Sequence, residues 1–205
     1  MFLRRKPLIF EGLFKLIQMK DFIPAIDGYF SRLRDALALV DRQALSEIMN
    51  VLEAARLEGR GVFVMGNGGS AATASHFVCD FNKGISMGKE RRYRLHCLND
   101  NVPSLMAIAN DLSYDDVFVE QLRNFYREGD VVLGISGSGN SENVVRALRW
   151  AAENGAVTIG FTGYDGGAVR RICRYNLHIP LNDMQIVEDL HLVANHCMMK
   201  ILCGE

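Results

Sequence analysis

Residues 61–77 read GVFVMGNGGSAATASHF, a short apolar run that passes through a glycine-rich turn into a helical stretch. Residues 130–141 repeat this arrangement as DVVLGI followed by SGSGNS, and helical spacing continues from there through Ala152. Short continuous apolar runs bounded by turn residues are typical of strands that are buried on both faces. The two segments therefore predict two strand–turn–helix units of one sheet.

The rest of the chain continues the alternation of strands and helices. Before residue 61, apolar residues recur at helical spacing from Phe22 to Leu57, which predicts two helices broken near Asp41. A long helix from about Met184 to Leu202 closes the chain. This order indicates an α/β fold, in which a parallel five-stranded sheet carries helices on both faces and is preceded by N-terminal helices. The further candidate strands are Arg94–Leu98, Ala156–Thr162 and Asn176–Pro180.

Length and composition favour one domain of a soluble protein. The 205 residues suffice for one well-filled core, and no repeat, low-complexity segment or Pro- or Ser-rich linker divides them. We expect residues 21–205 to form this domain and residues 1–20 to form an N-terminal extension. A formal net charge of −1 gives no electrostatic reason for a nucleic-acid or anionic-membrane partner. No stretch approaches the roughly 20 apolar residues of a membrane span.

The cysteines predict a reducing compartment. They are odd in number, widely spread and without a C-x-x-C pair, which is typical of packed, reduced thiols rather than of a disulfide framework. We therefore expect a cytoplasmic protein. The five residues are Cys79, Cys97, Cys173, Cys197 and Cys203.

The two glycine-rich turns are candidate anion sites. Each follows the carboxyl end of a strand, which is the usual ligand edge of an open α/β sheet. Glycines there let backbone N–H groups approach an anion, a helix N-terminus adds partial positive charge, and serine hydroxyls add donors. Glycine and serine also cap helices without binding anything. The Walker Gly-Lys-Ser/Thr ending is absent, so we expect a phosphate ester and no nucleotide cofactor.

A second group of candidate residues consists of histidines and carboxylates. His76 and Asp80 lie four residues apart on one helical face, and Glu188 and His196 lie eight apart on the closing helix, about 12 Å along its axis. His191 lies between them. Two histidines and two carboxylates suit zinc or a similar ion, although such spacing is also typical of a solvated or capped pair. We expect His96, His178 and Trp150 to be structural.

Several segments together resemble the SIS-domain family, and specifically its phosphoheptose isomerase branch. They are GNGGSAATASHF, AIANDLSYDDVF, SGSGNSENV, FTGYDGG and EDLHLVANH, and they extend from about Gly61 to the C-terminus. The resemblance implies a sugar phosphate held by three sets of residues. These are Asn67, Gly68, Gly69 and Ser70 in the first turn, Ser136, Gly137, Ser138 and Ser141 in the second, and Asn110, Asp111 and Glu188 outside the turns.

The resemblance also implies a metal site and an acid/base pair. The positions that match His76, Asp80, Glu188 and His196 bind zinc in the branch, and Asp80 and His196 match its acid and base. Three positions depart from the branch pattern. Glutamate is usual at Asp80, glutamine at Glu188, and a hydroxyl residue at Gly137. The departures shorten the reach of one carboxylate, add a negative charge and remove one possible phosphate donor.

The function implied is aldose–ketose isomerisation of a phosphorylated sugar, with sedoheptulose 7-phosphate and heptose 7-phosphate as the expected pair. The resemblance further implies a homotetramer whose sites are completed by a neighbouring subunit. The alternative is a non-catalytic SIS module of the replication-initiator-associating type, which binds a sugar phosphate or a protein and lacks the acid/base residues. An isomerase for another sugar phosphate is a third possibility.

Overall fold

The computed structural model describes residues 20–204, so the predicted extension lies outside it apart from Lys20. The chain divides into two compact units, one up to Asp35 and the other from Ala36 onward. Helix α1 (Ile23–Ala36) makes up most of the described part of the first unit. Asp21 accepts a hydrogen bond from the backbone N–H of Ile23 at 3.0 Å and so supports the start of this helix.

The second unit begins with a short 3₁₀ turn and then alternates between helices and strands. Its helices are α2 (Arg42–Glu58), α3 (Gly69–Cys79), α4 (Val102–Asp111), α5 (Val119–Phe125), α6 (Glu142–Glu153), α7 (Gly167–Ile172) and α8 (Met184–Cys203). Its strands are β1 (Val62–Gly66), β2 (Leu95–Cys97), β3 (Val131–Ser136), β4 (Val157–Thr162) and β5 (Tyr175–His178). A π-helical turn (Asp80–Ile85) continues α3, and a 3₁₀ turn (Tyr114–Asp116) follows α4. Asp41 is the N-cap of α2, where the sequence predicts the helical break.

The five strands form one parallel sheet in the order β2-β1-β3-β4-β5, which confirms the predicted fold class. The predicted strands differ from the observed ones by one or two residues at their ends. From β1 the chain goes to one side for β2 and to the other for β3, so the strand order reverses between β1 and β3. Ligands of open α/β sheets bind at the carboxyl ends of strands where such a reversal occurs.

Side chains of the strands alternate between two cores, because successive residues of a strand point to opposite faces. Val62 and Val64 of β1 pack into the core under α2, α3 and α8. Phe63 and Met65 pack into the core under α5, α6 and α7. Trp150 is half-buried against this second core, where its ring meets the ring of Tyr126 with centroids 5.5 Å apart. Among residues 20–204, no helix is both long and apolar enough to cross a membrane.

Candidate active site at the strand ends

The two glycine-rich turns lie side by side because β1 and β3 are neighbours, with Gly66 paired to Ile135. An amide pair joins the first turn to the start of α6. Asn67 Nδ2 donates to Asn143 Oδ1 at 2.8 Å, and Asn143 Nδ2 donates back to Asn67 Oδ1 at 2.9 Å. The hydroxyl of Tyr114 donates to the same Asn67 oxygen at 2.9 Å. The side chain of Asn67 therefore holds the two turns together, and the sequence analysis missed both of its partners.

The N-cap residues of the helices that follow the two turns make no side-chain capping bond, although in α6 the backbone N–H of Val144 donates to Asn143 Oδ1 at 2.9 Å. Asp41, Asn101 and Asp183 each accept a hydrogen bond from the first turn of their helices. Gly68 and Ser141, at the starts of α3 and α6, make no such bond. Uncapped backbone N–H groups at a helix start are free to donate to an anion. The geometry of Ser141 thus differs from that of a serine that merely caps a helix.

The second turn brings two of its three serine hydroxyls together. Ser136 Oγ donates to Ser141 Oγ at 3.2 Å, and Ser138 Oγ accepts the backbone N–H of Asn140 at 3.2 Å. Gly139 has a φ of +67°, and a Cβ there would lie 2.0 Å from the carbonyl oxygen of Gly166. Only glycine allows this close approach, so the second turn packs directly against the backbone at Gly166.

Gly137, where the resemblance implies a hydroxyl residue, faces a methionine. A Cβ built on Gly137 would lie 2.3 Å from Met184 Sδ and 3.2 Å from its Cε. Met184 thus fills the space that a larger side chain would need. Position 137 can offer only backbone groups while Met184 stays where it is.

Asn110 and Asp111 lie at the exposed end of α4. Asn110 Nδ2 donates to Asp111 Oδ1 at 2.8 Å, and this is the side-chain hydrogen bond that the structure shows for them. The next turn is anchored on α6, since Arg146 lies 3.7 Å from Asp115 and also forms an ion pair with Asp116. Asn110 and Asp111 lie a few residues before Tyr114, but within residues 20–204 neither side chain forms a hydrogen bond with a glycine-rich turn.

His76, Asp80 and His196 form a compact cluster at the C-terminal end of α3. Their ligand atoms all lie within 4.8 Å of one another. His76 Nε2 is 3.1 Å from His196 Nε2 and 3.3 Å from Asp80 Oδ2, and His196 Nε2 is 4.0 Å from that oxygen. The histidine side chains are about half exposed, whereas that of Asp80 is only 15% exposed. Asp80 and His196, which are 116 positions apart in the chain, thus meet in a cluster that is open to solvent.

The geometry of this cluster fits a divalent ion. Ligand atoms about 2.0–2.1 Å from a tetrahedral zinc ion stand about 3.3 Å apart, which is close to two of the three separations observed. Two imidazole nitrogens and a carboxylate oxygen are also the donors that zinc prefers, and three protein ligands leave a fourth position open.

Glu188 lies away from the cluster, over the first glycine-rich turn. A Cβ built on Gly69 would be 2.4 Å from Glu188 Oε2 and 2.7 Å from its Oε1. The half-buried carboxylate therefore rests at the start of α3, whereas His76 and Asp80 lie at its end. The structure brings together three of the four residues with the implied metal role and places the fourth beside the turn.

Two fully buried polar residues on α8 lie behind the site. The ring of His191 packs against Phe161 with centroids 5.6 Å apart, and its Nε2 lies 3.3 Å from the carbonyl oxygen of Thr162. Burial lowers the pKa of His191 to about 4, so the ring is neutral at pH 7. Asn195 donates from Nδ2 to Asp80 Oδ2 at 2.8 Å. The sequence analysis gave Asn195 no role.

The two histidines predicted to be structural, His96 and His178, lie on strands. His96 stacks on Phe63 with ring centroids 5.4 Å apart. His178 Nδ1 is 3.0 Å from Thr162 Oγ1, and burial, with a smaller contribution from Arg170, lowers the pKa of His178. Neither belongs to the metal-type cluster.

The fold and the site together define an open parallel α/β protein with two glycine-rich turns at its strand reversal and a separate His–Asp–His cluster. The family model described as "SIS domain" matches residues 28–163. The phosphoheptose isomerase of Clostridium acetobutylicum is 36% identical over 189 residues, covering 90% of this chain and 94% of that protein. That of Aliarcobacter butzleri is 39% identical and covers 72% of this chain and 77% of that protein.

Two solved structures are similar to this chain. The structure of phosphoheptose isomerase GmhA from Neisseria gonorrhoeae is similar with a TM-score of 0.83 and 27% identity, over 90% of this chain and 100% of that one. The Vibrio vulnificus NanR protein complexed with ManNAc-6P shares the fold, with a TM-score of 0.63 at 16% identity. The chain therefore belongs to the SIS-domain family, in its phosphoheptose isomerase branch.

Proposed function

We propose that this chain isomerises sedoheptulose 7-phosphate to a heptose 7-phosphate, an aldose–ketose isomerisation of a phosphorylated sugar. The observation that carries the proposal is the convergence of Asp80 and His196, from two separate parts of the chain, in one cluster that solvent can reach. Relatives named phosphoheptose isomerase support the choice of substrate.

The second glycine-rich turn would hold the phosphate. Its serine hydroxyls and the uncapped start of α6 offer several donors at one place. Hydrogen bonds from such donors to a charged group are stronger than those between neutral groups. The turn could therefore bind the anion without help from the protein's overall charge, which is close to zero.

Asp80 and His196 would carry the proton transfer. The reaction removes a proton from C1 of the ketose and returns one to C2, through an enediol or enediolate, so it needs a base and an acid near adjacent carbons. Because the two side chains come from different helices, they can approach one substrate from two directions. Because the side chain of Asp80 is short, the position of its backbone decides whether the carboxylate can reach the substrate carbon.

We propose zinc as the metal held by His76, Asp80 and His196. Glu188, the fourth residue implied by the resemblance, would take part only after its carboxylate moved from Gly69. A bound zinc ion supplies Lewis-acid chemistry that polarises a carbonyl and stabilises developing negative charge. Because the two histidines are half exposed, an ion and a substrate can reach the cluster from solvent.

We propose a homotetramer whose sites are completed by a neighbouring subunit. An apolar groove of about 610 Å³ runs between α2 and α8. Val193 and Cys197, which line it, flank His196 on both sides along the chain. A neighbour seated in the groove would thus border the cluster. Light scattering that gave a monomer at micromolar concentration would contradict the shared site.

We also propose that residues 21–205 form one SIS domain in a cytoplasmic protein. The family model matches from residue 28, inside α1, which supports counting the N-terminal helices with the domain. All five cysteines are free thiols, which supports a reducing compartment. The non-catalytic alternative is not favoured, because the acid/base residues are present and the relatives are isomerases.

The test is incubation with sedoheptulose 7-phosphate in D₂O, followed by NMR. We expect a heptose 7-phosphate to form and solvent deuterium to enter the substrate. Unphosphorylated sedoheptulose is the matched control and should react far more slowly because it lacks the phosphate. Binding of the phosphorylated ketose without any exchange, with and without added Zn²⁺, would rule the isomerase out.

A further inference from the structure

Asn195 is a buried polar residue whose contacts point into the site. Its side chain is fully buried on α8, and its Nδ2 donates to Asp80 Oδ2 at 2.8 Å. Its Oδ1 has no hydrogen-bond partner in the described chain. Leaving a buried oxygen without a partner costs about 1–3 kcal/mol. The Asn195 amide therefore keeps its bond to Asp80 at the cost of leaving its own oxygen unsatisfied.

The orientation of the amide follows from its neighbour. A carboxylate only accepts hydrogen bonds, so the NH₂ group must face Asp80 and the oxygen must face the core. The oxygen that receives this bond is Oδ2, which also lies 3.3 Å from His76 Nε2 and 4.0 Å from His196 Nε2. The bond therefore fixes the one carboxylate oxygen that faces both histidines.

The local backbone makes such support necessary. Asp80 opens a π-helical turn that extends to Ile85, where the regular spacing of α3 ends. π-turns inside helices are frequent at functional sites because they shift the direction of side chains. Asp80 is also one methylene shorter than glutamate, so a small rotation would carry its oxygen away from the histidines.

We propose that Asn195 is a positioning residue, which holds the Asp80 carboxylate in line with His76 and His196. The inference rests on the proposed function for its catalytic consequence but not for its effect on metal binding. Partners that orient a ligand in this way typically contribute about 10- to 100-fold to metal affinity or activity.

Asn195→Leu separates positioning from packing. Leucine has a similar volume and removes the unsatisfied oxygen, so the melting temperature should change by no more than a few degrees. We expect Co²⁺ affinity to fall about 10- to 100-fold and kcat to fall by a similar factor, with KM within about threefold. The visible spectrum of bound Co²⁺ should also change, which a loss of packing alone would not cause.

The matched control is Asn176→Leu. Asn176 also has an unsatisfied side-chain oxygen, but its amide donates to the carbonyl of Cys173 at 2.9 Å rather than to a site residue. This control should leave Co²⁺ affinity and kcat unchanged. Should Asn195→Leu fail to fold, Asn195→Ala is compared with Asn176→Ala by the same measurements.

A second variant tests the reason for the contact. In an Asp80→Glu background the longer side chain reaches further, so adding Asn195→Leu should cost less than about threefold in Co²⁺ affinity. Unchanged Co²⁺ affinity and kcat in Asn195→Leu would overturn the proposal, as would an equal loss in both backgrounds. A wild-type protein that isomerises nothing would contradict the proposed function, and the Co²⁺ titration would still decide the role of Asn195.

Discussion

The two glycine-rich turns differ in their surroundings, although each follows a buried central strand and precedes an uncapped helix. In the first, the Asn67 amide is engaged by Asn143 and Tyr114, and the Glu188 carboxylate lies over Gly69. In the second turn, the hydroxyl of Ser136 donates a hydrogen bond to that of Ser141. The helix directly after the first turn, α3, carries His76 and ends at Asp80, whereas no residue of the helix directly after the second turn, α6, belongs to the His–Asp–His cluster.

This difference supports the proposal that the two turns, which look alike in sequence, have separate tasks. A negative charge at the first turn opposes a phosphate there and suits sugar hydroxyls, which can donate to a carboxylate. The second turn has donors, and in the described chain the hydrogen bonds of its serine hydroxyls go to one another and to Asn140. In the proposed function, phosphate recognition is therefore assigned to the second turn and the proton transfer to residues at the end of the helix after the first.

The largest expected effect comes from Asp80→Asn, which tests this division directly. The change keeps the volume and removes the ionisable group, so solvent deuterium exchange should fall about 100- to 10,000-fold. Sugar-phosphate affinity should change no more than a few-fold, because the second turn is untouched. NMR exchange and calorimetry measure the two quantities. A large loss of affinity together with exchange would mean that the two turns do not act separately.

His191→Gln probes the support beneath the second turn, since His191 contacts Thr162 and the next residue, Gly163, donates to Gly137 O at 2.8 Å. The pKa of His191 is about 4 in the folded protein, compared with about 6.5 for an ordinary histidine. Between these two pH values the unfolded chain therefore binds a proton at His191 and the folded chain does not. Wild-type stability should therefore fall as pH drops from about 6.5 to 4. The loss is about 3 kcal/mol relative to His191→Gln.

Chemical unfolding of wild type and His191→Gln at several pH values measures this difference. The histidine variant His96→Gln, at an exposed strand position, should follow the wild-type curve. Parallel curves for wild type and His191→Gln would show that the buried ring does not control acid stability.

Ser138→Ala and Ser141→Ala test the anion site itself. Each removes a hydroxyl that could donate to the phosphate, a bond worth about 1.5–3 kcal/mol, so affinity should fall about tenfold or more. The melting temperature should fall by no more than a few degrees, because Ser141 makes no capping bond to α6 and each change removes one hydrogen bond between neutral groups, worth about 0.5–1.5 kcal/mol. Calorimetry with the sugar phosphate gives the affinity. An unchanged value for either variant would remove that serine from the phosphate site.

The fold could be predicted because it depends on local patterns. The apolar runs before Gly66 and Ser136 can only be buried strands once helices flank them, and parallel order follows. The partners of Asn67 could not be predicted, because they lie 47 and 76 residues away. The position of Asn195 could have been recognised from its spacing. It lies four residues after His191 and three before Met198, on the buried face of α8, where a polar side chain is unusual.

Glu188→Gln should give the smallest effect and bears on the contrast between the turns. The variant removes a half-buried negative charge at Gly69 and keeps the side-chain shape. The affinity for inorganic phosphate should rise less than about fivefold, because charges near solvent interact by about 1 kcal/mol or less and are screened by salt. The gain should shrink at high ionic strength. Glu153→Gln, at the exposed far end of α6, is the control for net charge and should change little. Inorganic phosphate has no sugar hydroxyls, so its affinity reports on the anion site alone. A lower phosphate affinity in Glu188→Gln would show that the carboxylate helps to form the anion site instead of opposing it. The proposed separation of tasks between the two turns would then be wrong.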